Sequence, residues 1–154
     1  MKLHEEDIFI TTTDTVLGIG GKINNVVKEK IYEMKKRDRK KPLVIVVSSV
    51  EQLNKLEKLN YNHLSFIKKY WPGNVTLIIN GNAYRMPNNI QLLNLIESDG
   101  PFYLTSCNIS NKSNIDNLED AKKVFPNLKY FDFGEGSGLP SIIINTDNGE
   151  IIRK

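Results

Sequence analysis

Strands and helices alternating along one chain, closed by a hairpin, predict an α/β or α+β domain built on one mixed sheet. Apolar, β-branched runs such as Leu43 to Val47 and Val75 to Ile79 alternate with segments whose apolar residues recur at intervals of three and four. Asp147, Asn148 and Gly149 mark a final two-stranded turn, which argues against purely parallel pairing. With 154 residues, 40% of them apolar, the chain suits a single core, and residues 1–154 are read as one domain.

Each element follows from local pattern. Ile8 to Thr11 reads as a short strand, and Thr11 to Gly21 as a polar stretch of Thr and Gly with Val16 and Leu17 embedded. Val27, Ile31 and Met34 give Ile23 to Lys36 one apolar face, with Asn24 or Asn25 as cap, so this segment is an amphipathic helix. Pro42 then starts the strand Leu43 to Val47, buried on both faces if parallel. A second helix carries Val50, Leu53 and Leu56, and a third carries Leu64, Ile67 and Phe66 until Trp71, Pro72 and Gly73 stop it. Val75 to Ile79 resumes as strand. Past Arg85, Met86 and Pro87, a helix from Asn89 to Ser98 is expected to bury Ile90, Leu93 and Ile96. Phe102 to Thr105 (strand), Leu118 to Val124 (helix), Tyr130 to Phe133 (strand), a glycine-rich turn over 134–140, a strand from Ser141 to Asn145 and a return through Glu150 to Arg153 complete the chain.

Composition narrows the class. The 21 Lys and Arg exceed the 18 Asp and Glu by only three, too small an excess for an indiscriminate polyanion binder. No apolar run approaches the ~20 residues that cross a bilayer. The opening MKLHEEDIFI lacks the apolar stretch of a secretory signal, and Cys107 has no partner cysteine, so a cytoplasmic protein is expected. Lysine outnumbers arginine 17 to 4, so Arg37, Arg39, Arg85 and Arg153 stand out as positions where a planar, bidentate donor is needed.

Three constellations bear on chemistry. Lys35, Lys36, Arg37, Arg39, Lys40 and Lys41 set six cations in seven residues, interrupted by Asp38. They complement the negative end of the preceding helix, but they also lead directly into a strand, where connections build ligand sites, and crowded like charges favour a phosphate-bearing partner. Thr105 to Ser110 form a polar string at a strand end, able to cap its own turn or to bond phosphate or carboxylate oxygens. Cys107 lies in it, yet His4 and His63 offer no triad, so a small, half-buried filler is expected rather than a nucleophile. No protein-built metal site is expected, because the chain has two histidines, one cysteine and no ligand spacing between them. The glycines at 18, 20 and 21 and at 134, 136 and 138 fit neither a P-loop nor a dinucleotide fingerprint, so side chains must hold any nucleotide. Trp71 is read as core or turn packing rather than a stacking platform.

Taken in order, TTTDTVLGIG (11–20), KKRDRKKPL (35–43), YWPGNVTLII (70–79), RMP (85–87), TSCNIS (105–110), GLPSIII (138–144) and IIR (151–153) resemble the YrdC/Sua5/TsaC family along nearly the whole chain. The resemblance implies a twisted mixed sheet over a concave, positive cleft. It also implies threonylcarbamoyl-AMP synthesis from L-threonine, bicarbonate and ATP with Mg²⁺, toward N6-threonylcarbamoyladenosine at position 37 of tRNA. By the same resemblance, Lys35, Arg37, Ser106 and Asn108 form the catalytic and nucleotide cage, and Arg153 also holds the nucleotide. Thr13, Lys41, Arg85 and Ser141 match positions that line the threonine pocket. The sequence departs from the family pattern at Leu17, where relatives carry tyrosine, at Thr12 and Asp38 in place of prolines, at Cys107 in place of alanine and at Asn111 in place of glycine. Lys41 stands where a histidine is frequent.

The implied chemistry needs no triad. Threonine and bicarbonate form an N-carboxylate that attacks the α-phosphorus of ATP and expels pyrophosphate, a transfer served by positioning and charge neutralisation. Arg85 is expected to pair bidentately with the amino acid's carboxylate, with Leu17 bordering the pocket. Two other classes stay in view. One is a noncatalytic RNA- or nucleotide-binding protein of the same fold, which calls for aromatics beside the cationic cluster; residues 35–47 contain none. The other is an enzyme handling a carbamoyl-adenylate. Transfer of the product to tRNA would engage separate threonylcarbamoyl transferase machinery.

Overall fold

A computed structural model describes residues 3–154. The order is β1 (Phe9–Thr11), β2 (Gly18–Lys22), α1 (Asn25–Lys35), β3 (Ile45–Val46), α2 (Val50–Asn54), α3 (Tyr61–Tyr70), β4 (Val75–Ile79), β5 (Asn82–Arg85), α4 (Ile90–Asp99), β6 (Phe102–Ser106), α5 (Leu118–Val124), β7 (Lys129–Phe131), β8 (Ile142–Asn145) and β9 (Ile151–Arg153). All strands join one mixed sheet in the order β7-β1-β2-β6-β3-β5-β4-β8-β9. β7–β1, β3–β5 and β4–β8 pair in parallel, and the remaining neighbours are antiparallel. The closing hairpin is present, with Gly149 at φ 73° in its turn.

Successive residues of a strand point to opposite faces, and the core divides accordingly. Ile10 and Ile19 pack with Val27 and Ile31 of α1 and Ala121 of α5 on one face. Phe9 and Phe102 pack with Leu92 and Ile96 of α4 on the other, where the Phe9 ring meets the edges of Phe102 and Phe131 at 5.0 and 5.6 Å between centroids. Leu53 of α2 and Ile67 of α3 close a third cluster over β4 and β8. Each helix starts on an asparagine or serine side chain; Asn24 Oδ1 accepts from Val27 N at 2.9 Å. Trp71 is packed in the third cluster, its Nε1 donating to Val75 O at 2.8 Å. Among the described residues, no helix is long and apolar enough to cross a membrane.

Several expectations need correction. The polar stretch after β1 contains a strand, β2, whose sequence GIGGK lacks the usual apolar alternation. Its glycines serve close packing: a Cβ on Gly20 would sit 2.0 Å from Tyr103 O of β6. β5 is a further strand beyond those the apolar pattern predicts: the Asn80–Gly81 dipeptide, with φ of 50° and 84°, turns the chain back from β4 in a tight hairpin. The strand expected over Leu43 to Val47 is ladder-paired only at Ile45 and Val46, between a parallel and an antiparallel neighbour. In α4 the buried stripe is Leu92 and Ile96, spaced by four, rather than Ile90, Leu93 and Ile96; Ile90 falls off that stripe and is 75% exposed. Leu56 lies past the end of α2 and is exposed, as is Leu64 on α3.

Candidate functional site

Several chain segments meet at a cleft of about 390 Å³ on this sheet. The first is the connection from β1 to β2. Thr13 Oγ1 donates to Val16 O at 2.6 Å and accepts from Thr15 N at 3.0 Å, folding the loop into a compact turn. The second is the end of α1. Lys36 takes a left-handed conformation at φ 51° and reverses the chain, so that Lys35 turns inward while Arg37 reaches the cleft. The third is the end of β6, carrying Thr105, Ser106 and Asn108.

Lys35, the first member of the cationic run, is only 1% exposed. Its Nζ donates to Ser106 O at 2.6 Å and Asn108 Oδ1 at 3.1 Å, with Thr105 Oγ1 and Ser106 Oγ at 3.2 and 3.3 Å. An ammonium can be buried only when its donors are so satisfied. Burial first, and the Arg37 charge second, pull its pKa down to about 8. The Ser106 hydroxyl in turn donates to Asn108 Oδ1 at 2.9 Å, so the lysine organises the polar string from beneath. Arg37 spends its hydrogen bonds on carbonyls, Nη2 to Pro42 O at 3.0 Å and Nε to Lys41 O at 3.5 Å, which fixes the guanidinium without neutralising it. Arg39 is tied to Glu29 at 2.7 Å and lies outside the cleft.

The opposite wall comes from β4, β5, β8 and β9. Arg85 is 6% exposed; its Nη1 donates to Asp14 Oδ1 at 2.7 Å and Gly73 O at 3.1 Å, and its Nη2 to Thr15 Oγ1 at 3.0 Å. Asp14 Oδ2 accepts from Asn88 N at 2.9 Å. The fork expected to grip a ligand carboxylate is therefore already engaged within the protein. Arg153 holds the start of β8, Nε donating to Ser141 O at 2.8 Å and Nη2 to Ser141 Oγ at 3.2 Å, and partial burial lowers its pKa. Ser141 Oγ also lies 2.8 Å from Thr76 Oγ1.

The cleft thus gathers Thr13, Arg37, Arg85, Ser106, Asn108, Ser141 and Arg153, with Lys35 directly beneath. Lys41 is not brought in: its side chain is exposed, and only its carbonyl contributes, accepting from Arg37 and from the Tyr32 hydroxyl. Leu17 borders the cleft from the core side. Cys107 is fully rather than half buried, and burial pushes its thiol up to about 11, which suits a filler and not a nucleophile. Sequence reasoning passed over Asp14, Thr15 and Thr76; the first two lie in the polar run beside Thr13, and the third is hidden within an apolar strand.

A second cavity, about 490 Å³, shares the wall Thr13, Thr15, Val16 and Leu17 with the first. Its lining is opposite in sign, with Asp116, Glu119, Asp120, Asp132 and Glu135. Its roof, residues 134–138, lies backbone to backbone on the shared wall: Ser137 N donates to Asp14 O at 3.0 Å and Gly138 N to Thr15 O at 2.9 Å. A Cβ on Gly136 would fall 2.3 Å from Thr13 O, so only glycine permits this approach. Among the described residues, no three His, Cys, Asp or Glu side chains converge as a metal-ligand set.

Three arginines, buried hydroxyls and two asparagines line the cleft of this α/β protein, a donor set suited to anionic oxygens. The profile of the Sua5/YciO/YrdC family, described as telomere recombination, matches residues 1–154, and the chain belongs to that family. It is 30% identical over 151 residues to an uncharacterised Mycoplasma genitalium protein, covering 94% of this chain and 31% of that one. A threonylcarbamoyl-AMP synthase from Buchnera aphidicola is 30% identical over 177 residues, covering 99% of this chain and 91% of its own. The structure of Pyrococcus abyssi Sua5 complexed with L-threonine superposes with a TM-score of 0.80 at 28% identity, over 92% of this chain and 47% of that one. The chain therefore spans about a third to a half of the length of some relatives and nearly all of another.

Proposed function

We propose that this chain makes L-threonylcarbamoyladenylate and pyrophosphate from L-threonine, bicarbonate and ATP, the first step toward N6-threonylcarbamoyladenosine in tRNA. The observation that carries this reading is the convergence of Arg37, Arg153 and the Lys35-organised Ser106 and Asn108 on the same cleft as Arg85, Thr15 and Ser141. In this reading groups suited to phosphate and groups suited to a carboxylate share one cleft of about 390 Å³. The naming of the Buchnera relative and the threonine complex of the Pyrococcus protein support it.

In this reading the triphosphate lies toward Arg37, Ser106, Asn108 and Arg153, with Mg²⁺ arriving on the phosphates. The threonine amine adds to bicarbonate with loss of water, and the new carboxylate attacks the α-phosphorus, releasing pyrophosphate. Arg37 and Arg153 offset charge that builds on the phosphoryl oxygens. The adenylate then passes to transferase machinery acting on tRNA.

The test is pyrophosphate release from ATP and bicarbonate with labelled threonine. Threonine-dependent release is expected. Arg37→Ala should lower the rate by on the order of 10² to 10³, as for loss of one charge-stabilising donor, with the melting temperature nearly unchanged because Arg37 bonds only backbone carbonyls. Arg37→Lys should recover part of it. Release driven by carbamoyl phosphate instead of threonine would point to carbamoyl-adenylate chemistry, and nucleotide binding without any release to a noncatalytic protein.

A further inference from the structure

The segment from 36 to 42, between α1 and β3, delivers one guanidinium to the cleft. Lys36, Arg39, Lys40 and Lys41 are exposed, and Arg37 alone of the six cations in the run lines the cleft. The segment folds back on the helix it leaves. Arg37 N donates to Tyr32 O at 3.0 Å, and Lys41 N donates to Asp38 O at 3.0 Å, closing a turn. Arg39 donates to Glu29 Oε2 from Nη2 at 2.7 Å and from Nε at 3.0 Å, and its guanidinium carbon lies 5.9 Å from the centre of the Tyr32 ring. Glu29 and Tyr32, three residues apart, share one face of α1.

Tyr32 is 2% exposed, its ring packed in the first core cluster, and its hydroxyl donates to Lys41 O at 2.6 Å. A carbonyl oxygen has two lone pairs. At Lys41 one takes the Tyr32 proton and the other faces Arg37 Nε at 3.5 Å, while Arg37 Nη2 donates to Pro42 O at 3.0 Å. Two of the five guanidinium N–H groups are thus committed to successive carbonyls, and three are left for phosphoryl oxygens. Where those three point depends on where the peptide between Lys41 and Pro42 stands. The Lys41 side chain is exposed and its N–H is spent on Asp38 of the same segment, so among the described residues the phenol is the group of α1 that bonds this peptide. Burial raises the phenol's pKa above its ordinary value, so the donor persists at neutral and mildly alkaline pH.

We propose that Tyr32 is a positioning residue for the phosphate end of the cleft: its hydroxyl fixes the Lys41 carbonyl, and that carbonyl with Pro42 O aims the Arg37 guanidinium at the bound phosphates. The inference rests on the adenylate-forming reading above and goes beyond it, because it assigns the aim of the charged group to a neutral side chain that does not line the cleft. The Glu29–Arg39 pair, more than half exposed on both sides, is a minor tie of the same segment.

The experiment compares Tyr32→Phe, Arg37→Ala, the double variant and Glu29→Gln by pyrophosphate release, thermal melting and titration calorimetry with inorganic pyrophosphate. Tyr32→Phe should lower kcat and pyrophosphate affinity by roughly threefold to tenfold, the worth of one neutral hydrogen bond, and leave KM for L-threonine within about twofold. In the Arg37→Ala background the same substitution should change kcat by less than about twofold, because the hydroxyl acts through that arginine. Its melting temperature should nevertheless fall by the same ~2 to 4 °C in both backgrounds, since the bond to Lys41 O is lost in each. Glu29→Gln should stay within about twofold of wild type in rate. Unchanged kcat and pyrophosphate affinity in Tyr32→Phe, an equal loss of rate in both backgrounds, or a loss in Glu29→Gln as large as in Tyr32→Phe overturns the assignment while leaving the function intact. Wild-type protein that releases no pyrophosphate with threonine overturns the functional reading instead. Calorimetry then decides for Tyr32: weaker pyrophosphate binding in Tyr32→Phe, with no further weakening when Arg37 is already alanine, upholds its role, and unchanged binding overturns it.

Discussion

Burial and the Arg37 charge bring Lys35 to about 8 from an ordinary 10.5, so the cleft carries one cation whose charge is lost just above neutrality. Affinity for pyrophosphate should fall as pH rises through about 8, and in Lys35→Met that step should vanish; titration calorimetry across the range checks it. Stability runs the other way. Between about 8 and 10.5 the unfolded chain holds a proton that the folded chain has released, so the lysine's contribution to unfolding free energy rises with pH across that window. Urea unfolding of wild type against Lys35→Met at the two ends should show this slope in wild type alone. The motif pairing Lys35 with Ser106 and Asn108 was legible from the quoted patterns, but the lysine's burial was not. Burial depends on the left-handed reversal at Lys36 and on acceptors about 70 residues further along, neither of which is a property of the cationic run.

At the scale of elements, legibility followed apolar periodicity. α1 was readable because Val27 and Ile31 recur on one face behind an Asn24 cap, whereas β2 was not, because three of its five residues are glycine. Those glycines let the backbones of β2 and β6 lie without intervening side chains, and β6 carries Ser106 and Asn108 at its end. Gly20→Ala places a methyl against Tyr103 O and should cost on the order of 3 kcal/mol by overpacking. Thermal unfolding measures the loss. An alanine variant as stable as wild type would mean that β2 and β6 separate freely, contrary to their five-residue register.

For the whole molecule, the sheet order decides which residues meet. β6 and β5 flank β3, and β4 and β8 lie just beyond, so Ser106, Arg85, Thr76 and Ser141 converge although their segments are scattered along the chain. The chain order alone reveals the residues but not this adjacency. Selectivity belongs to the same scale, since hydroxyl donors and Leu17 share the space. Valine, shaped like threonine but without the hydroxyl, should be rejected strongly where a buried polar partner is left unpaired; serine, short of one methyl, should lose only ~1 to 3 kcal/mol. Pyrophosphate release with the three amino acids in parallel tests the order, and equal turnover of valine and threonine would contradict it.

The wall from Thr13 to Leu17 separates the arginine-lined cleft from a cavity lined by five carboxylates, with the Asp14 carboxylate turned to Arg85. Such a partition is a local electric field with a fixed direction. An anion is therefore drawn to the cleft side of this wall and a cation to the cavity side. Gly136, by letting the roof of the acidic cavity rest on the carbonyls of this wall, sets the two oppositely charged linings back to back across a single segment of chain.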